Sequence, residues 1–278
     1  MPTMPSTSGN PTSGSTIETH RYRAVAESFG VDPAAYDRWR PRYPRDLIER
    51  IRTTSPGPEV LDVGIGTGIV ARQLRDSGAR VTGVEPDARM AGFARAEGFV
   101  VEEATIEHWE SDGRLFDALV SGQTWHWVEP VSGAAKAKQV LRPGGRVAVF
   151  WNAGDAPEEI NEAFADAFAR AVPDWPTPTD CTPPPASVWY NAMVDRTAEG
   201  FRSVGGFGEA ERWQDSWDQS YTRDEYLALL PTQGMLTRAS AEQTAAVLEA
   251  VGRAIDRLGG TFDMHYVTTT MATVRTTG

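Results

Sequence analysis

The chain has 278 residues, 40% of them hydrophobic, enough for one large domain or two small ones with a real core. A net charge of −11 at pH 7 argues against a nucleic-acid surface, which requires positive potential, and leaves a small molecule as the expected partner. No apolar run approaches the ~18 residues that span a bilayer, and a lone cysteine, Cys181, excludes an internal disulfide and a cysteine-based metal site.

Residues 1–16, MPTMPSTSGNPTSGST, hold Ser, Thr, Pro and Gly without an apolar core, so they read as a disordered tail rather than a signal peptide, with the cytoplasm as the expected compartment. Two short helices follow, separated by the turn from Gly30 to Pro33, and a third is predicted at Arg45 to Ile51 after Pro41 and Pro44. Strands and helices then alternate. The strands are predicted at Glu59 to Val63, Arg80 to Val84, Phe99 to Glu103, Phe116 to Ser121 and Arg146 to Trp151, with the RPGG turn at Arg142 to Gly145 leading into the last. Helices are predicted at Ile69 to Asp76, Ala88 to Glu97 and Ser132 to Val140. Such alternation gives an α/β fold, a parallel sheet with helices on both faces.

Past the fifth strand the order changes. A helix at Glu158 to Ala171, a Pro-rich loop through Pro185 and an apolar segment from Trp189 to Phe201 precede a sixth strand in AERWQDSWDQSYT. Ser240 to Leu258 reads as an amphipathic helix with Ser240 as N-cap and Gln243 closing a capping box, and TFDMHYVTTTMATV as a final strand rich in β-branched residues.

The stretch EVLDVGIGTGIVARQL, residues 59–74, runs from a buried strand through Gly64, Gly66 and Gly68 into a helix, at the carboxyl edge where open parallel sheets bind ligands. Glu85 ends the second strand about 20 residues on, where a carboxylate meets ribose hydroxyls, so adenosine is the expected moiety. The dinucleotide pattern G-x-G-x-x-G wants a third glycine at position 69, which is Ile69, and Asp62 would face a pyrophosphate. Asp62 suits a cationic ligand such as S-adenosylmethionine, whose ammonium it can meet directly or through water.

VLDVGIGTG, VTGVEPDARM, FDALVSGQTWHW and VLRPGGRVAVFWN resemble, in order and spacing, the successive motifs of class I S-adenosylmethionine-dependent methyltransferases. AYDRWRPRYP and EEATIEHWE are similar to a small-molecule branch, the methyltransferase type 11 group with the trans-aconitate and UbiE-like enzymes. The resemblance covers residues 36–152 well and the last third loosely. It implies a Rossmann-like, seven-stranded, mostly parallel sheet with an antiparallel last strand, N-terminal helices and an insertion forming a lid. The expected layout is a domain over 17–278, with cap helices at 17–55, a cofactor core at 56–152, a lid at 153–225 and a C-terminal helix and strand at 226–278. By resemblance Gly64, Ile65 and Gly66 face the methionine part, Glu85 grips the ribose, and Pro86, Asp87 and Met90 flank the adenine opposite Thr105 and Ile106. Gln123 contacts the amino-acid end, and Tyr36 and Arg40 lie over the cofactor, Arg40 pairing with its carboxylate. Plain core packing is the competing reading for Met90 and Ile106, and a solvated helix for Tyr36 and Arg40.

Because the sulfonium already activates the methyl group, the protein has to align a nucleophile and exclude water. For a hydroxyl acceptor a base is needed, and His126 directly follows the fourth strand, whereas His20, His108 and His265 lie elsewhere. Trp125 and Trp127 frame it as a substrate wall, with Trp151 and Asn152 at the end of the fifth strand; loop closure over the core is the alternative for the first pair and core packing for Trp151. Trp175, Trp189, Tyr190, Trp213 and Trp217 suit either a binding lid or the core of a small subdomain. No cluster has metal-ligand spacing, so no metal is expected, an open Mg²⁺ site of scattered carboxylates being the exception.

The expected function is methyl transfer from S-adenosylmethionine to a hydroxyl or carboxyl oxygen of a metabolite, without nucleic-acid or membrane partners and with homodimerisation open. N- or C-methylation, a nicotinamide-dependent oxidoreductase and a non-catalytic S-adenosylmethionine sensor are the alternatives.

Overall fold

The structure, a computed structural model, describes residues 27–173 and 186–277. The tail, His20, Trp175, Cys181 and the Pro-rich loop through Pro185 fall outside the described residues.

A short 3-10 turn (Glu27–Val31) leads to α1 (Pro33–Trp39) and α2 (Arg45–Thr54). The alternating core follows as β1 (Glu59–Val63), α3 (Ile69–Asp76), β2 (Arg80–Val84), α4 (Ala88–Ala96), β3 (Val100–Glu102) and β4 (Phe116–Gly122). After a 3-10 turn at Trp125–Trp127 come α5 (Pro130–Val140), β5 (Leu141–Asp155), α6 (Glu158–Ala171) and α7 (Ala186–Val204). The chain closes with β6 (Glu211–Thr222), α8 (Arg223–Leu229), α9 (Ala241–Arg257) and β7 (Thr261–Val274).

The seven strands form one sheet in the order β3-β2-β1-β4-β5-β7-β6. Parallel pairing runs from β3 to β5, and β7 is antiparallel to both β5 and β6. The expected Rossmann-like sheet with an antiparallel last strand is therefore found. Chain order reverses at β1, between β2 and β4, which opens a crevice beyond the carboxyl ends of these strands.

The central strands are buried on both sides of the sheet. Val60, Ala118, Val120, Ala148 and Phe150 pack with Leu47, Ile48 and Ile51 of α2 and Leu74 of α3. Leu61, Val63, Leu119, Val147 and Val149 face the other way, against Ala134 and Ala137 of α5 and Met193, Val194 and Phe201 of α7. Each fully buried Leu or Ile removed from water in these layers contributes about 1.5–3 kcal/mol. A further apolar cluster joins Ile160 and Phe168 of α6, Val247, Val251 and Ile255 of α9, Tyr226 and Leu229 of α8, and Phe262, Met264 and Tyr266 of β7. The α9 start carries the expected capping box: the Ser240 hydroxyl accepts from the Gln243 N–H (3.2 Å) and the Gln243 side chain accepts from the Ser240 N–H (2.8 Å).

Three expectations need correction. β5 is longer than Arg146 to Trp151, since it pairs with β7 from Arg146 through Asp155, and the RPGG segment lies within its start, where the register to β4 shifts between Phe116 and Ala118. The third strand is only Val100–Glu102. Trp213 and Trp217 belong to the sheet: the guanidinium groups of Arg50 (5.1 Å) and Arg146 (5.4 Å) lie over the Trp213 ring, and Trp217 stacks on Tyr266 at 4.4 Å. No helix among the described residues is long and apolar enough to cross a membrane.

Candidate active site

The crevice at the reversal point continues into a cavity of about 740 Å³. Its near wall is the glycine turn after β1, its floor the ends of β2 and β4, and its roof α1 with the 3-10 turn before it. Its far end is lined by α6, α8, the 230–235 segment and β7.

The turn is stitched to β2 by the N–H groups of Gly64 (2.8 Å) and Ile65 (3.3 Å), both donating to the Val84 carbonyl. Gly64 has φ +69°, and a Cβ there would sit 2.1 Å from Thr124 Cγ2. Handedness and close approach both require glycine. Glu85 is buried and spans the turn: one oxygen accepts from the Gly66 N–H and the other from the Asp87 N–H, each at 3.0 Å. Burial, the largest influence, pushes its carboxyl up to about 7 despite these hydrogen bonds. Asp62 lies beneath, 1% exposed, with neither carboxylate oxygen hydrogen-bonded. Burial, with the charge of Glu85 adding to it, pushes Asp62 up to about 8. Asp87 is instead held below its ordinary range by the Arg89 side chain, while its oxygens cap α4 through the N–H groups of Arg89 and Met90.

Above this floor, Arg40 places its guanidinium 5.0 Å from the Tyr36 ring and 5.9 Å from that of Phe29. None of the ion pairs among the described residues involves Arg40, and the groups acting on it are the hydroxyls of Tyr36, Tyr190 and Tyr43. The cavity thus holds a cation among tyrosines and the buried Glu85 carboxylate, with Asp62 beneath. The cap is anchored from outside: Asp37 of α1 pairs with Arg72 of α3, and Tyr43 exchanges hydrogen bonds with Gln73.

Of the sequence-derived candidates, Tyr36, Arg40, Gly64, Ile65, Gly66, Glu85, Pro86, Met90, Gln123, His126 and Trp127 line this cavity. Gln123 does so at φ +56°, with its side-chain amide donating to the Asn152 carbonyl at 3.2 Å. Asp62 sits under the lining. Thr105 and Ile106 line a separate recess of about 50 Å³ that shares Gly64, Pro86, Thr124 and Trp127 with the cavity. Two expected substrate contacts are absent from the wall. Trp125 stacks on Phe201 at 5.7 Å in the core, and Trp151 is fully buried with its ring against Tyr190. Asn152, expected to face the pocket, does line it, and its amide ties Arg42 to Thr268.

Trp151 nevertheless acts on the site. Its indole N–H donates to Nδ1 of His126 at 3.1 Å. An indole nitrogen can only donate, so Nδ1 carries no proton, and the neutral ring carries it on Nε2. Burial lowers His126 to about 3, which keeps the ring neutral. Action as the expected base through Nε2 requires the other tautomer. His108 bonds Thr105, and His265 pairs with Asp218 on the exposed side of β6 and β7.

Sequence reading missed the far end: Phe164, Tyr226, Leu229, Met235, Met264 and Tyr266 line it. Phe164, Met264 and Tyr266 fall in a predicted helix and strand and Tyr226, Leu229 and Met235 in a stretch with no predicted element, and no local signal marks any of them as cavity wall.

Residues 61–149 match the family described as "Methyltransferase domain". The match covers about a third of the chain, and the strand order and glycine turn around it are similar to those of class I methyltransferases, whose methyl donor is S-adenosylmethionine. An uncharacterised methyltransferase of Mycobacterium tuberculosis (strain H37Rv) is 36% identical over 135 residues, 48% of this chain and 55% of that protein. A malonyl-[acyl-carrier protein] O-methyltransferase of Pectobacterium atrosepticum is 29% identical over 153 residues, 53% and 60% of the two chains. The chain thus spans little more than half the length of these curated relatives. A solved structure from Anaeromyxobacter dehalogenans, described as a type II methyltransferase, superposes with a TM-score of 0.61 at 22% identity, covering 84% of this chain and 97% of that one, a likeness of fold. These relatives do not single out the trans-aconitate and UbiE-like branch.

Proposed function

We propose that the protein transfers a methyl group from S-adenosylmethionine to an oxygen of a small-molecule acceptor. The observation that carries this reading is an unpartnered buried carboxylate, Asp62, beneath a cavity whose lining holds the Gly64–Gly66 turn and Glu85.

The residues fit the donor. Both oxygens of Asp62 lack a partner, and a buried acceptor pair of this kind costs free energy until a cationic donor reaches it. Glu85 uses one lone pair per oxygen on backbone N–H groups, leaving each oxygen able to accept from a ribose hydroxyl. Pro86 and Met90 offer apolar surface for adenine, and Arg40, lacking a carboxylate partner among the described residues, suits the donor's carboxylate. When bound, S-adenosylmethionine supplies an electrophilic methyl group. The chain's contribution is to orient the acceptor along the methyl–sulfur axis and keep water away, and the apolar far end of the cavity suits that role.

The malonyl-[acyl-carrier protein] relatives are named as O-methyltransferases, which supports oxygen as the acceptor atom. Incubation with methyl-labelled S-adenosylmethionine and a library of small hydroxyl, carboxyl and amino compounds tests the reading. Label transferred to oxygen, with S-adenosylhomocysteine released in equal amount, is the expected result; label confined to nitrogen or carbon overturns the oxygen assignment.

A further inference from the structure

We propose that Asn152 is a positioning residue that joins the cap over the donor to the far wall of the cavity, so that Thr268 and Trp217, which do not line the cavity, help to set the affinity for the donor. This rests on the S-adenosylmethionine reading above and deepens it.

Three side-chain hydrogen bonds run in line from β6 to the cap. The Trp217 indole N–H donates to the Thr268 hydroxyl at 2.9 Å, that hydroxyl donates to Asn152 Oδ1 at 2.7 Å, and Asn152 Nδ2 donates to the Arg42 carbonyl at 3.2 Å. Each end has one role open to it, since an indole N–H can only donate and a carbonyl can only accept. The direction of the chain is therefore fixed, and with it the orientation of the amide, whose oxygen faces Thr268 and whose nitrogen faces Arg42. Thr268 and Asn152 are both buried, which makes each link costly to leave open.

The sheet alone does not need this chain. Asn152 and Thr268 are register partners in the β5–β7 ladder, and Trp217 and Tyr266 in the β6–β7 ladder, so backbone pairing already holds them side by side. Arg42 lies outside the sheet, between α1 and α2, and is 110 positions from Asn152 in sequence. The last bond is thus the one that ties separate parts together, and the first two orient the amide that makes it. A second arm leaves the same residue: the Asn152 carbonyl accepts from the Gln123 side-chain amide at 3.2 Å, while the Gln123 N–H donates to the Phe150 carbonyl at 2.9 Å.

Each part that meets at Asn152 carries a piece of the cavity. Tyr36, Arg40 and Pro41 line it from the cap, just before Arg42, and Gln123 lines it past the end of β4. Tyr266, whose ring stacks on Trp217 at 4.4 Å, lines the far end. Methyl transfer requires donor and acceptor in line, and a displacement of about 1 Å can cost on the order of 100-fold in rate. Asn152 holds the two halves of the cavity in one frame. Thr268 and Trp217 act through its amide, which makes them the positions at which to test it.

Two measurements on the full chain do so. Calorimetric titration with S-adenosylhomocysteine should give a dissociation constant about fivefold higher in Thr268→Val than in the parent, about 1 kcal/mol, and within about twofold of the parent in Thr268→Ser, which keeps the hydroxyl. A residue that only supports the fold would lower the unfolding midpoint without changing the affinity of the folded chain, so an unchanged dissociation constant in Thr268→Val overturns the proposal. In nitrogen-15 NMR, the Trp217 indole N–H, identified as the signal missing from Trp217→Phe, should shift when S-adenosylhomocysteine is added to the parent and stay in place in Thr268→Val at saturating ligand. An indole that does not respond in the parent overturns the proposal even where Thr268→Val fails to fold, and so does an equal shift in both chains. Absence of S-adenosylhomocysteine binding to the parent overturns the donor reading and this inference together, whereas binding with an unmoved indole removes the inference alone.

Discussion

Asp62 near the end of β1 and Glu85 just past the end of β2 are two buried carboxyl groups that act on each other, Glu85 lining the cavity and Asp62 beneath it, without a cationic partner among the described residues. Both are pushed up, Asp62 from 3.8 to about 8 and Glu85 from 4.5 to about 7. A carboxyl whose folded value exceeds its unfolded one retains a proton in the folded chain between the two. Its contribution to stability is complete below the unfolded value and is lost as pH rises through the folded one. The ligand-free protein should therefore become less stable from about pH 5 to about pH 8, by up to about 1.4 kcal/mol per pH unit for each group. Denaturant unfolding across that range checks this, and Asp62→Asn should flatten the slope.

Proton linkage also marks ligand binding. A cation meeting Asp62 favours its charged form, so binding S-adenosylmethionine near pH 7 should release protons. Calorimetric titration in two buffers of different ionisation enthalpy measures the number released. Asp62→Asn should bind without that release and at least tenfold more weakly, about 1.4 kcal/mol.

Gly64→Ala should combine two penalties, a backbone cost of roughly 1–2 kcal/mol at φ +69° and an overpacking cost of roughly 1–3 kcal/mol against Thr124. Gly78, at φ +91° with nothing within 4 Å of an added Cβ, isolates the first of these. Gly78→Ala should thus destabilise the chain clearly less than Gly64→Ala, as unfolding midpoints will report.

Replacing Asp37 by Ala removes the partner that fastens α1 to Arg72 without touching the cavity wall. The expected outcome is a several-fold loss of S-adenosylmethionine affinity through a loosened Tyr36 and Arg40, with the unfolding midpoint nearly unchanged, since partly exposed pairs contribute only about 0–1 kcal/mol. An unchanged affinity would remove α1 from the binding surface.

What could be read from the chain follows from how local each signal is. β1, α3, β2 and β7 have the predicted bounds, because burial alternation, helical spacing and glycine punctuation act within a few residues. The Ser240 and Gln243 box was legible for the same reason. The extra length of β5 was not: its residues beyond Trp151 are strand because β7 lies beside them, and β7 begins more than a hundred residues later. The glycine turn and Glu85 were legible as a site, since turn and strand end are adjacent in a βα unit. Trp125 and Trp151 were placed in the wall because large aromatics suit walls and cores alike, and only the third dimension separates the two. The tautomer of His126 depends on an indole 25 residues away, so the spacing that nominated the histidine could not say which nitrogen holds the proton.

The central claim is that the glycine turn and the carboxylates beneath it bind S-adenosylmethionine. Thermal unfolding with S-adenosylmethionine, S-adenosylhomocysteine and NAD, for the parent chain and Glu85→Ala, tests it most directly. The account predicts stabilisation by both S-adenosyl compounds, about 2.7 kcal/mol at ~100 times the dissociation constant, lost in Glu85→Ala and absent with NAD. Stabilisation by NAD alone would contradict it.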